Sequence, residues 1–435
     1  MLSAEDNELL TRTGPGTPMG ALMREYWIPA LMSAELPNPA GPPVRVRLLG
    51  EDLIAFRDST GRVGLVGNHC PHRGASLFFG RNEEGGLRCV YHGWKFDTAG
   101  RCVDMPNEPP ENNFKDKIRH TAYPCVERGG AIWTYMGPRN APPPLPDLAA
   151  TKLPNQRRLL WAALRSCNWA QGLEGEVDTS HFGFLHAIID PSHRPTPGTF
   201  EYYMVRDRSP RYAVAETEYG AVYGAYREAE PGAHYWRIAQ FLLPFFTMVP
   251  TGVLGEQTIV RAWVPLDDEH TMFWHFSEIT DPAEAKAREG RPAEFLVGRG
   301  EVLPNTSDWL GRWRLAANRE NDYRIDRAAQ RTRSYTGIPG IHVQDQAITE
   351  SMGPIYDRRE EHLGTSDTMV IKVRQRLLSA VKAHRDRGEL PPTVDNPRLY
   401  DVRSGGVILK QGEDWLAVTE RARAGGDPGT SVAVD

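Results

Sequence analysis

The segment CPHRGASLFFGRNEEGGLRCVYHGW, from Cys70 to Trp94, constrains this 435-residue chain more than any other. It holds Cys70-x-His72 and Cys89-x-x-His92 with sixteen residues between the two pairs. Two thiolates and two imidazoles on short loops are a metal-binding set. A [2Fe-2S] centre takes four protein ligands, and neutral imidazoles in place of two thiolates on one iron raise its potential. Each loop would then give one sulfur to one iron and one nitrogen to the other. Zinc also takes Cys2His2 sets, but its structural sites pair like ligands within a knuckle, and the mixed Cys-x-His loop departs from that. Four unrelated turn residues are the third reading, which the spacing and Pro71 inside the first loop disfavour. Gly74, Gly80 and Gly93 are expected to let the loops bend tightly. His69 adjoins Cys70, and the one-residue gap selects His72 instead.

These residues, with CVYHGWKFDTAG downstream, resemble the Rieske iron–sulfur signature of the non-haem iron oxygenases. A second cluster lies about ninety residues later. Glu174, Asp178, His181 and His186 form E-x-x-x-D-x-x-H-x-x-x-x-H. Two histidines and a carboxylate can hold Fe(II) on one face and leave sites open for O2 and substrate. The stretch NWAQGLEGEVDTSHFGFLH reads as helical, which puts Asp178 and His181 one turn apart. Five residues at about 100° each place His186 roughly 140° from His181. The helix must therefore loosen or end before both imidazoles reach one metal, and Gly183 between them is expected to ease this. Taken alone, such histidines are as easily solvent-facing or hydrogen-bonded in place. The stretch also resembles the mononuclear iron motif of the same oxygenases, so the resemblance covers two sites in the right order.

The resemblance implies the rest of the centre. The third iron ligand would be an aspartate on a late helix, and VQDQAITES supplies Asp345, followed by Glu350, with Asp322, Asp326 and Asp357 as alternatives. Asp178 would hydrogen-bond an iron-ligating histidine and relay electrons from the cluster of a neighbouring subunit. That implies a trimer or stacked trimers. Glu174 would either support the site or be a solvated helix residue. Length and layout, with the start GPGTPMGALMREYWIPAL, look most like the phthalate dioxygenase group. Members take electrons from a separate NAD(P)H-dependent reductase carrying flavin and a plant-type [2Fe-2S] centre, and act with O2 on small aromatic substrates. An aromatic carboxylate is expected here. Diaryl-ether cleavage and O- or N-demethylation are alternatives within the superfamily, and a Rieske electron carrier is the alternative outside it. Tyr235, Trp236, Phe241, Phe245 and Phe246, with Arg206, Arg208 and Arg237, are candidate pocket residues. An arginine facing the cavity would bind a carboxylate in a two-pronged fashion.

The remaining features are those of an ordinary globular chain. Hydrophobic residues make up 40% and charged residues 25%, and the net charge is −5. Nothing there points to nucleic acid or an anionic membrane. No apolar run is long enough to span a bilayer, and the polar start MLSAEDNELLTRTGPG lacks the features of a secretory signal. Five cysteines are too few and odd in number for a disulfide framework, so a cytoplasmic setting is expected. Cys102, Cys125 and Cys167 have no evident role.

The expected architecture is α+β. Residues 1–42 pack on the body. Residues 43–137 form an all-β Rieske domain, with VRVRLLGEDLIAFRD as strand. Residues 138–148 are a proline-rich connector. Residues 149–422 form the catalytic domain, an antiparallel sheet with helices of helix-grip type, in which EYYMVRD and the segments from Arg211 to Ile279 are strands. Residues 423–435 are a loose tail.

Overall fold

In the computed structural model, which describes residues 2–109, 111–279 and 300–426, the run VRVRLLGEDLIAFRD folds into a hairpin. Strands Val44–Leu48 and Glu51–Arg57 pair through Leu48 and Glu51 around a two-residue loop. Leu49 and Gly50 both take positive φ, +46° and +76°, as a tight turn matched to strand twist requires. The left-handed Leu49 is held from outside: its N–H donates to Pro265 O at 3.1 Å, and that of Gly50 to Leu266 O at 2.8 Å. Those carbonyls lie at the end of a strand of the second unit, so the turn fastens the two units together.

The hairpin joins Val63–Gly67 and Ala122–Tyr123 in one antiparallel sheet. A second four-stranded sheet, Arg81–Glu83, Gly86–Arg88, Lys95–Phe96 and Cys102–Asp104, carries the loops that hold the two Cys/His pairs. A third pairs Cys125–Arg128 with Ala131–Tyr135 and then with Trp27–Met32, a strand from the N-terminal segment. WIPALM is buried along its whole length, so it has no alternation to show in the sequence. Residues 136–148 form neither helix nor strand.

The second unit is an eight-stranded antiparallel sheet. Its order is Arg158–Arg165, Thr271–Glu278, Ile259–Pro265, Phe246–Met248, Ala233–Leu242, Gly220–Glu228 and Arg211–Thr217, with Gly405–Lys410 also on Ala233–Leu242. Helices Trp169–Val177, Ile341–Ser351 and Thr368–Arg387 pack with it. EYYMVRD corrects the strand expectation: Phe200–Arg206 is a helix, with Thr199 Oγ1 accepting from Tyr202 N at 3.4 Å. The capping threonine wins over the β-favouring tyrosines and valine because Tyr203 and Met204, on one side of the helix, are the residues that bury. Of the expected loose tail, residues 427–435 lie outside the described residues. One apolar core runs from Leu10 and Trp27 through Leu53, Trp133, Phe246 and Phe276 to Tyr400. A smaller core of Ile54, Phe56, Cys70, Leu77, Leu87, Cys89, Trp94 and Phe96 underlies the Cys/His loops. Among the described residues no helix is long and apolar enough to cross a membrane.

Candidate active site

The two Cys/His loops are built alike. Cys70 N–H donates to Ala75 O and Gly74 N–H to Cys70 O, both at 2.8 Å. Cys89 N–H donates to Trp94 O at 2.8 Å and Gly93 N–H to Cys89 O at 2.9 Å. Each turn closes on a left-handed glycine, Gly74 at φ +75° and Gly93 at +79°, a conformation costly for other residues. Gly80 contributes differently: its φ is negative, and a Cβ there would lie 2.8 Å from Leu77 O.

These turns bring the four side chains together. Cys70 and Cys89 are buried, and the His72 and His92 rings sit 4.4 Å apart between centroids. His72 also stacks on Trp94 at 4.4 Å, and Trp94 Nε1 donates to Asn107 Oδ1. His72 Nδ1 is buried with no hydrogen-bond partner, an orphaned ligand atom of the kind a bound metal satisfies. Burial pushes the Cys70 thiol up to about 11, the His72 backbone N–H opposing this and the Cys89 thiol adding to it. Two buried thiols beside two imidazoles, one with an unpartnered nitrogen, make a donor set that fits a [2Fe-2S] cluster. His69 turns aside, with Nδ1 on Gly74 O at 2.9 Å. Cys102 is buried in the same small core, and all five cysteines are free thiols.

The second cluster forms where a helix ends. Trp169–Val177 stops at Asp178, a short 3-10 turn covers His181–Gly183, and Phe184 leaves the helical region at φ −128°, ψ −67°. This ending folds His186 back toward His181, with Nε2 to Nε2 at 3.1 Å. Gly183 is not what permits it. Its φ is not positive, and a Cβ there would meet nothing nearer than Arg208 Cβ at 3.5 Å. Asp345, on Ile341–Ser351, places Oδ1 3.1 Å from His186 Nε2 and 3.7 Å from His181 Nε2. These three are the group able to share a metal ion among the described residues. The other aspartates are engaged elsewhere: Asp326 caps Arg327–Thr332, Asp357 pairs with Arg359, and Asp322 lies on the distorted turn Arg319–Arg324. Glu350 accepts from Ser166 N and Tyr323 Oη.

Both ring tautomers follow from the neighbours. Gln344 Nε2 donates to Ile338 O at 2.8 Å, which aims Oε1 at His186 Nδ1, 2.6 Å away. His186 Nδ1 therefore carries the proton and Nε2 the lone pair. Asp178 Oδ2 likewise accepts from His181 Nδ1 at 3.3 Å, leaving His181 Nε2 for metal. Asp178 is itself anchored, with Oδ1 accepting from Ser180 N and Oγ, each at 2.7 Å. Burial disfavours the charge on Asp178, but His181 and Ser180 outweigh it and the carboxyl sits below its usual range. Asp345 behaves the same way, with burial outweighed by His186 and His181. Glu174 is a buried ion-pair partner, 2.9 Å from Arg358 Nε and 2.8 Å from Arg374 Nε.

Gln344, Ser180 and the arginine partners of Glu174 carry no recognisable motif, and reasoning from the sequence passed over them. Replacing Gln344 with Leu removes the acceptor from His186 Nδ1. Mononuclear iron affinity is expected to fall about 10- to 100-fold, read by titrating Fe(II) into the chelator-stripped protein, while the cluster's visible spectrum is unchanged.

His181 and Asp345 face a cavity of about 1850 Å³, whose wall includes Glu176, Phe182, Leu185, Trp263, Ile348, Tyr235, Arg237 and Val407. Of the candidate pocket residues, Tyr235 and Arg237 reach it. Phe241, Phe245 and Phe246 are core, and Trp236 stacks on Trp415. Arg206 bonds Tyr202 Oη and Arg208 lies over Phe184, so neither lines the cavity. Arg237 is buried between Phe200 and Phe182, its Cζ 3.5 and 4.7 Å from their ring centroids. Its Nε and Nη1 have no hydrogen-bond partner. Burial lowers its pKa to about 10, which keeps the guanidinium charged at neutral pH.

Comparison with known proteins bears on the whole chain. Residues 26–122 match the model of the Rieske [2Fe-2S] domain, and residues 134–428 that described as LigXa C-terminal domain like. The chain is 46% identical to the 3-chlorobenzoate-3,4-dioxygenase oxygenase subunit of Comamonas testosteroni, covering 97% of this chain and 98% of that one. It is 37% identical to the phthalate 4,5-dioxygenase oxygenase subunit of Pseudomonas putida, covering 95% and 94%. In fold it is similar to dicamba monooxygenase bound to dicamba, with a TM-score of 0.57 at 17% identity over 84% of this chain and 99% of the other. Its cofactors are thus a Rieske [2Fe-2S] cluster and a mononuclear non-haem iron working with O2. On the strength of both domains and of relatives matched from end to end, the chain belongs to the Rieske non-haem iron aromatic oxygenases, as their catalytic subunit.

Proposed function

We propose that this oxygenase hydroxylates an aromatic carboxylate whose carboxyl group is held by Arg237. The observation that carries the reading is a charged guanidinium without a carboxylate partner on the wall of the cavity that His181 and Asp345 line. Such a group loses hydration without compensation until an anion arrives. The relatives named for chlorobenzoate and phthalate act on aromatic acids, which agrees.

Cys70, His72, Cys89 and His92 would hold the cluster, and His181, His186 and Asp345 the iron. The metals supply electron storage and O2 activation; the chain's residues do the rest. Gln344 and Asp178 each accept a hydrogen bond from the Nδ1–H of an imidazole and keep its Nε2 free for the metal. Phe182, Leu185, Trp263 and Ile348 make an apolar wall that excludes bulk water from the reacting ring. Arg237 fixes the ring's far end, so that one edge faces the iron.

Asp178 would also relay electrons from a neighbouring subunit in a trimer or stacked trimers. Exposed apolar side chains support this pairing. Phe79, Val90 and Tyr91 surround the cluster loops, while Phe184, Ile188 and Tyr335 lie by the His181 turn, and patches of that kind mark interfaces. The electron donor would be a flavin reductase with a plant-type [2Fe-2S] centre, using NAD(P)H. Five thiols free of disulfides fit the reducing cytoplasm.

The test is substrate-dependent O2 and NADH consumption on a panel of benzoates, aryl ethers and neutral benzenes, with products identified. Benzoates are expected to be oxygenated. Arg237→Gln is expected to raise their KM about 10- to 100-fold, the value of one or two charged hydrogen bonds, and to leave neutral aromatics unaffected. Equal losses on acids and neutral rings would refute the carboxylate role.

A further inference from the structure

Three arginines that are largely buried line the cavity: Arg237, Arg261 and Arg403. Arg403 pairs with Asp401 at 2.8 Å, and Arg261 forms an ion pair with Glu176. Arg237 has no carboxylate within salt-bridge distance among the described residues. Lys410 and Arg421, also on the cavity, are exposed to solvent. Arg227 shares the Phe200 ring with Arg237 but lies outside the cavity wall.

The Glu176–Arg261 pair is firmly built. Its side chains are only 7% and 14% exposed. Arg261 Nε also lies 3.2 Å from His275 Nδ1. A guanidinium has no acceptor to offer, so His275 Nδ1 bears the lone pair and the imidazole is neutral, its Nε2–H donating to Ser277 Oγ at 2.9 Å. Arg261 is therefore held between the Glu176 carboxylate and the His275 ring.

The sheet register relates the two arginines. Thr247 pairs with both Phe241 and Arg261, so Arg261 lies two strands away from Phe241 and level with it. Arg237 is four residues from Phe241 on the same strand, and hence on the same face. At about 4.8 Å per strand and 3.4 Å per residue, their Cα atoms are about 17 Å apart. Two guanidinia so placed could grip opposite ends of one aromatic ring.

Resting on the carboxylate reading above, we propose that Glu176 determines specificity: by neutralising Arg261 it leaves the cavity a single guanidinium to offer, so the enzyme selects aromatic monocarboxylates over dicarboxylates. A second carboxylate on the ring would approach Arg261 only by competing with Glu176. Freed of that partner, Arg261 would accept a carboxylate at the 3- or 4-position of a benzoate held by Arg237, and the 2-position would gain least.

Glu176→Gln tests this, because the amide oxygen still accepts from Arg261 while the negative charge is gone. Calorimetric Kd values would be measured for benzoate, benzamide and the three benzenedicarboxylates on wild type and variant, with melting curves to verify folding. Wild type is expected to prefer benzoate over every dicarboxylate. Glu176→Gln is expected to shift that ratio at least about tenfold toward the 1,3- and 1,4-dicarboxylates. The double variant Glu176→Gln/Arg261→Gln removes both charges together, so neither is left buried and unpaired, and is expected to restore the preference for the monocarboxylate. An unchanged ratio in a folded Glu176→Gln protein overturns the proposal. So does a double variant that favours dicarboxylates, an arm that holds even where the single variant does not fold. Wild type that binds benzoate no better than benzamide would instead bring down the carboxylate reading, and this proposal with it.

Discussion

Asp178→Asn is expected to leave both metals bound and the cluster reducible, yet to cut substrate oxygenation by about two orders of magnitude. All the hydrogen bonds reaching this side chain come from donors: two from Ser180 to Oδ1 and one from His181 Nδ1 to Oδ2. An asparagine has one oxygen, so its NH2 must confront either Ser180 or His181. In either orientation the negative charge beside His181 is lost. Against burial, that charge and its hydrogen bond, with the charges of Asp345 and Glu176, raise the affinity of His181 for its proton. Iron analysis and the visible spectrum would report intact metals, and rapid mixing of the reduced variant with O2 and substrate would report slow reoxidation of the cluster. Oxygenation at the normal rate would remove Asp178 from electron transfer.

Asp345→Ala should abolish oxygenation outright and do so through one metal only. Bound iron is expected to drop from about three to about two atoms per chain, with the cluster's absorption retained. The side chain supplies the single negative charge among the three candidate ligand atoms, and its burial is tolerated through His186 and His181. Its helix does not depend on it, since the contact to Thr349 Oγ1 comes from the Asp345 backbone oxygen, at 2.8 Å. The melting temperature of the chelator-stripped protein should therefore change little. A variant keeping three irons would exclude Asp345 as a ligand.

How far the sequence could be read depended on the range of each interaction. The cluster loops are local: the Cys and His residues of each pair are two or three positions apart, and the closing glycines lie within the same turn. They could be recognised from spacing alone. His181 and His186 required the helix between them to fail, which the 140° mismatch announced, although the ending at Asp178 rather than Gly183 achieves it. Asp345 lies more than 150 residues away and was reachable only through resemblance. Gln344, Ser180 and the Glu176–Arg261 pair are ordinary residues whose importance arises from where the sheet and helices bring them. EYYMVRD was misread because β-favouring residues were weighed without the capping threonine before them. Trp27–Met32 was missed because a fully buried strand shows no alternation.

The continuous core and the Leu49–Gly50 turn bonded to Pro265 and Leu266 carry a mechanical consequence. The cluster-bearing half has no hinge on which to rotate, since any swing would tear apolar side chains out of contact and break that clasp. Timing of electron arrival at the iron cannot depend on a travelling arm within one chain. If Asp178 relays electrons as proposed, that timing would rest on the few protons and dipoles around its carboxylate.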